Sequence, residues 1–135
     1  MKLPVMVREV MTPTIVSVDA SASVKDAANL MLEKGIGSVI VMEGEKPVGI
    51  MTERDILKRV VVKGLDPATT KVKEVMSSPL VTVKADTYIV DASRIMAEKN
   101  IRRLLVVEDS KAVGIVTEKD LLRALNSYLA LGLKI

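Results

Sequence analysis

Gly49-Ile50-Met51-Thr52-Glu53-Arg54-Asp55 returns as Gly114-Ile115-Val116-Thr117-Glu118-Lys119-Asp120, at an offset of 65 residues. The same offset holds without a gap along the rest of the chain. Val7-Arg8-Glu9-Val10-Met11 matches Val72-Lys73-Glu74-Val75-Met76, Asp26-Ala27 matches Asp91-Ala92, and Glu33-Lys34 matches Glu98-Lys99. Self-similarity at a fixed period marks a chain built from one repeated supersecondary unit. The copies occupy 7–62 and 72–127, with 63–71 as a linker and 128–135 as an apolar tail.

Periodicity gives each copy its elements. In the first, 14–18 is extended after Pro13, and Ser21 or Ser23 caps a helix over 24–34. Val24, Ala27, Ala28, Met31 and Leu32 give that helix one apolar face, and Gly35 stops it. Residues 39–42 read as a buried strand, Glu43-Gly44-Glu45-Lys46 as a hairpin turn and 47–51 as the partner strand. Thr52 then caps a second helix reaching about residue 62. Gly64-Leu65-Asp66-Pro67 breaks the chain between copies, and 121–133 carries the last helix into the tail. The expected fold class is α/β in the mixed (α+β) sense, with the order β-α-β-β-α twice. One such unit leaves an apolar sheet face bare. The two copies are therefore expected to pack sheet to sheet about a pseudo-twofold axis, with two related clefts near the second-helix starts.

Composition narrows the function. The 135 residues contain no cysteine and no histidine, which excludes disulfides, thiolate metal sites and cysteine nucleophiles. It also removes the commonest general base and metal ligand. No nucleophile, metal cluster or paired carboxylates stand beside the repeated motif, so the expectation is no catalytic residue, no metal site, no required cofactor and no enzyme. Four of the eight methionines, Met31, Met51, Met76 and Met96, read as core packing, not as a soft-metal site. Charges or glycines interrupt every apolar segment well short of the roughly 20 residues of a membrane span. Residues 1–5 lack the apolar core of a secretory signal, which points to the cytoplasm. Basic and acidic residues, 20 and 17, are interleaved, and Tyr88 and Tyr128 are the only aromatics. The stacking platforms that hold nucleic acid are missing, leaving surface lysines as the weak alternative.

The repeated junction places a glycine, a hydroxyl and a carboxylate at fixed spacing across a strand-to-helix turn. One reading is a capping box with Asp in place of Glu. Another uses the same atoms to bind: a carboxylate accepts both hydroxyls of a ribose diol, a threonine hydroxyl holds a neighbouring oxygen, and the helix start favours phosphate. The glycine either makes room for a ligand or relieves crowding between strands.

With its duplicated G-h-x-T-x-x-D junction, its Val-Met-Thr-Pro and Val-Met-Ser-Ser openings and its gapless repeat, the chain resembles the CBS-domain family from about Val7 to Asn126. The resemblance implies a tandem module whose inter-repeat clefts bind AMP, ADP, ATP or S-adenosylmethionine and regulate a partner. By position it implies that one cleft uses Asp120 for the ribose hydroxyls with Thr117 beside it, and Arg102 and Arg103 for phosphate. Ile115, Val16 and Ile36 would enclose the adenine, with main-chain groups near Thr12 and Val16 reading its edge. The other cleft would use Asp55 and Thr52, with Ile50, Val81 and Ile101 around the base. Arg102 and Arg103 align with Gly37 and Ser38, so the Asp120 cleft is expected to be the stronger site for a phosphorylated ligand. The competing reading is a structural dimerisation scaffold with vestigial clefts. Leu121, Leu122, Leu125, Leu129 and Leu133 suit a homodimer under either reading. The effector protein is not named by the chain.

Overall fold

Along the computed structural model, which describes residues 4–132, run β1 (Ser17–Asp19), α1 (Val24–Lys34), β2 (Ser38–Glu43), β3 (Lys46–Thr52) and α2 (Glu53–Ile56). The second series is α3 (Val72–Val75), β4 (Thr82–Lys84), α4 (Ile89–Lys99), β5 (Arg103–Glu108), β6 (Lys111–Thr117) and α5 (Glu118–Ala130). The expected β-α-β-β-α order thus occurs twice, in a mixed α/β fold with two three-stranded sheets. β1 lies parallel to β2 and β3 antiparallel to it; β4, β5 and β6 repeat the arrangement. Parallel neighbours need a long crossover, which α1 and α4 supply.

Local chemistry sets the boundaries. The Ser23 hydroxyl accepts the Asp26 N–H at 3.0 Å and starts α1, and Gly35 ends it at a left-handed φ of 64°. In the second copy Asn100 takes the same left-handed role at φ 53°. Asp19 accepts the Ser21 hydroxyl (2.6 Å) and N–H (2.8 Å) in the turn between β1 and α1. Those bonds, the hydroxyl's first, hold its carboxyl below the ordinary value.

The chain divides into two compact units, and they are not the two sequence copies. One is Val16–Leu80; the other joins residues up to Ile15 to those from Val81 onward. In the first unit Val39 and Val41 of β2 bury against Val24, Ala27 and Met31 of α1, together with Val72 and Val75. In the second, Leu104 and Val106 of β5 bury against Ala92 and Met96 of α4, together with Val7. The opening segment of each copy is therefore built into the unit that holds the other copy's strands.

Two expectations are corrected. Leu32, expected on the buried face of α1, is 82% exposed, while Leu30 packs partly against the core. The residues that go inside are Val24, Ala27 and Met31, a narrower stripe than the five-residue face read from the sequence. The second helix of the first copy does reach 61, close to the expected end near 62, but it is α-helix only as far as Ile56. After Ile56 the chain winds through a π turn, Leu57–Val61, closed by the Val62 N–H on the Leu57 carbonyl at 3.0 Å. Single π turns inside helices often accompany function.

Met31, Met51 and Met96 are buried in the cores and Met76 packs partly against one. Leu121 also packs on its unit's core, whereas Leu122, Leu125 and Leu129 are exposed, and Leu133 lies outside the described residues. No helix of the described residues is long and apolar enough to cross a membrane.

Leu104 is 1% exposed at the centre of its cluster. Leu104→Ala is expected to cost about 2–5 kcal/mol in urea denaturation, because truncation leaves a cavity in a packed core. Leu32→Ala should stay within about 0.5 kcal/mol of the parent; a loss comparable to that of Leu104→Ala would contradict its exposed placement.

Candidate functional site

Thr52 and Thr117 each end a strand in extended geometry, at φ −112° and −118°, and each is the cap of the helix that follows. Thr117 Oγ1 accepts the Asp120 N–H at 3.2 Å, while Asp120 Oδ2 accepts the Thr117 N–H at 2.8 Å and its hydroxyl at 3.1 Å. Thr52 and Asp55 repeat the set at 3.2, 2.9 and 3.1 Å. Both are capping boxes with aspartate in the glutamate role. Both carboxylates are buried, with one oxygen committed to the cap.

The second oxygen distinguishes the copies. Asp55 Oδ1 accepts the Ser77 hydroxyl at 2.9 Å. Asp120 Oδ1 accepts from the Arg123 guanidinium at 3.2 Å, and the Arg123 side chain is 68% exposed. Thr12, the repeat counterpart of Ser77, makes no such bond among the described residues. A buried carboxylate thus faces a solvated partner in one unit and a neutral hydroxyl in the other.

The glycines answer to crowding. Ser77 exchanges two backbone hydrogen bonds with Ile50 (2.8 and 3.0 Å), and Thr12 exchanges two with Ile115 (2.8 and 2.9 Å). A Cβ on Gly49 would stand 2.9 Å from the Ser77 carbonyl oxygen and 2.6 Å from Met76 Sδ. On Gly114 it would stand 2.7 Å from the Thr12 carbonyl oxygen and 2.8 Å from Met11 Sδ. The glycines admit the opening segments to the sheet edge.

The remaining candidates divide between the units. Thr12, Arg102, Arg103, Ile115, Thr117 and Asp120 share one unit; Ser38, Ile50, Thr52 and Asp55 share the other. Arg103 stands opposite Thr117 in the β5–β6 register, as Ser38 stands opposite Thr52 in β2–β3. Arg102 is directed elsewhere, with Nε 3.7 Å from Glu118 Oε2. Its carbonyl accepts the Glu118 N–H at 2.9 Å, which ties the start of α5 to β5. Thr12 has both backbone groups engaged by Ile115, and the Val16 carbonyl accepts the Ile40 N–H at 3.0 Å. Val16 and Ile36 belong to the unit of Asp55 and pack partly against its core, whereas Val81 and Ile101 do so in the unit of Asp120.

Sequence reasoning missed Arg123, Ser77 and Arg59. Arg59, on the π turn, donates one guanidinium nitrogen to the carbonyls of Val75 (3.1 Å) and Met76 (2.7 Å). Arg123 at three residues beyond Asp120 carried a helical-spacing signal; Ser77 and Arg59 carried none short of the fold. Among the described residues no three His, Cys, Asp or Glu side chains gather as metal ligands do.

The CBS-domain family model matches residues 7–62 and 72–127. An uncharacterized protein of Methanopyrus kandleri is 38% identical over 121 residues; the match takes in 88% of this chain and 62% of that relative, so this chain spans less than two thirds of its length. A putative signal-transduction protein with CBS domains from Burkholderia ambifaria has a solved structure at TM-score 0.87 and 30% identity, with 90% and 94% of the two chains covered. A hexameric CBS-CP12 protein from bloom-forming cyanobacteria matches at TM-score 0.80 and 36% identity, over 87% of this chain and 69% of that one.

Gly114→Ala should destabilise the protein by about 1–3 kcal/mol, since the added methyl can be housed only by displacing backbone at Thr12. Gly49→Ala should behave alike. Melting curves of the two variants test this, and a stability equal to the parent's would show that the opening segments are not held this tightly.

Proposed function

The chain belongs to the CBS-domain family, and from that premise we propose that it is a regulatory module that binds an adenosine nucleotide of the AMP, ADP or ATP class at the start of α5 and signals this to a partner protein. CBS-pair proteins are generally regulatory, ligand-binding modules and typically not enzymes. The observation that carries the reading is Asp120 Oδ1, an oxygen of a buried carboxylate whose partner is an exposed arginine. A ribose diol donates to such an oxygen, and the Thr117 hydroxyl lies beside it. Arg103, across the strand from Thr117, supplies the cation for a phosphate, with Ile115 in the same strand pair for the base and the main chain near Thr12 for its edge. Asp55, Thr52, Ile50 and Ser38 form the weaker counterpart, without an arginine at position 38 and with Ser77 already on the carboxylate.

A second reading, a dimerisation scaffold, is favoured by one observation. Leu57 and Leu122 hold the same position in the two copies and are 60% and 53% exposed. Leu125 and Leu129 extend the apolar surface on α5. A homodimer fits both readings.

A ligand that binds only the folded state raises the melting point. AMP, ADP or ATP should do so, with S-adenosylmethionine as the comparison, and Asp120→Ala should abolish the shift. By calorimetry Arg103→Ala should weaken AMP and ATP about tenfold or more and leave adenosine unchanged, as expected for loss of one charged hydrogen bond. Unchanged AMP affinity would remove Arg103 from the site, and no shift with any adenosine compound would leave the scaffold. Leu122→Glu should lower the mass seen by sedimentation to that of one chain; an unchanged mass would move the interface away from α5.

A further inference from the structure

Each unit presents one state of the same pair of groups. In the unit of Asp55, the carboxylate's second oxygen takes a hydroxyl, from Ser77, and the arginine of the neighbouring helix turn, Arg59, rests on the carbonyls of Val75 and Met76. In the unit of Asp120, the second oxygen takes the arginine itself, Arg123. The repeat counterparts of Val75 and Met76 are Val10 and Met11, and among the described residues neither of their carbonyls accepts a hydrogen bond. At the repeat offset Arg123 matches Lys58, so the two arginines stand one position apart; each immediately precedes a buried residue, Val60 and Ala124. Beside Asp120 lies an open groove of about 380 Å³ that Val10, Arg123, Ala124 and Ser127 help to line.

We propose that Arg123 is a displaceable partner of Asp120: when a ligand hydroxyl takes Asp120 Oδ1, as the Ser77 hydroxyl takes Asp55 Oδ1, Arg123 crosses the groove to the carbonyls of Val10 and Met11, the position Arg59 holds in the other unit. The proposal rests on the nucleotide reading and adds to it a route from the ligand to the N-terminal segment. The Arg123 side chain is 68% exposed and water solvates its guanidinium when it leaves, so a hydroxyl pair from a diol can take its place on the buried carboxylate. The carbonyls that receive Arg123 belong to the segment whose next residue, Thr12, is bonded to Ile115. Ligand occupancy therefore acts on the backbone at 10–12. The unit of Asp55 has no such freedom, because its hydroxyl is resident and its arginine is already docked.

The test follows the arginine side-chain Nε–H and backbone carbonyl signals of the full chain by ¹⁵N and ¹³C NMR during titration with AMP, with calorimetry on the same sample. The Arg123 signal and the carbonyl carbons of Val10 and Met11 should shift on saturation while the Arg59 signal stays in place, and in Arg123→Ala those carbonyls should no longer respond. Asp120→Asn, whose amide oxygen can still accept the Thr117 N–H while its NH2 cannot accept from a guanidinium, should shift the Arg123 signal without ligand. AMP heat with an unmoved Arg123 signal would overturn the displacement and leave the nucleotide reading standing. Absence of heat with both AMP and adenosine would overturn that reading, and the displacement with it.

Discussion

Backbone approaches strand at two places so closely that no side chain fits between: the Thr12 carbonyl over Gly114 and the Ser77 carbonyl over Gly49. Each approach is a reciprocal pair of hydrogen bonds, and an unpaired buried backbone group costs about as much as a lost bond. Much else follows from this constraint. It fixes the opening segment against the last strand of its sheet, with Val7 in one core and Val72 and Val75 in the other. It also sets the Ser77 hydroxyl within reach of Asp55.

The helix-start aspartates show why capping and recognition need not compete. A carboxylate has two oxygens, and a capping box uses one. The cap anchors the group and orients the other oxygen without consuming it. The sequence could not distinguish the two roles, because both ask for threonine and aspartate at the same spacing. The structure assigns the cap to Oδ2 and leaves Oδ1 to differ between the copies.

Local signals were legible and long-range ones were not. Ser23 and Gly35 bounded α1 correctly because cap chemistry acts within one turn. Leu32 was misplaced because an apolar residue at helical spacing says which side it leans towards, not how wide the core beneath it is. The π turn was invisible: the carbonyls of Val75 and Met76 that its Arg59 donates to lie 16 and 17 residues ahead in the chain. The repeat offset showed two copies but not that each lends its opening segment to the other's strands, since exchanged and unexchanged arrangements bury the same valines. At the site, Thr52, Asp55, Thr117 and Asp120 stood out by their repetition. Arg102 and Arg103 stood out as a pair, yet one faces Glu118 and the other stands opposite Thr117. Arg123 went unremarked, since an arginine three residues beyond an aspartate is ordinary on a helix surface.

The exchange of opening segments also sets an order of assembly. The unit of residues 16–80 is continuous and can close as soon as it has left the ribosome, where folding proceeds from the N-terminal side. The other unit must bring residues before 16 together with strands that begin at 82, so a long loop has to be closed before its contacts stabilise it. Among the described residues, the earliest made are thus among the last to find their place. Until those strands exist, Val7 and Val10 have no finished core of their own unit to enter.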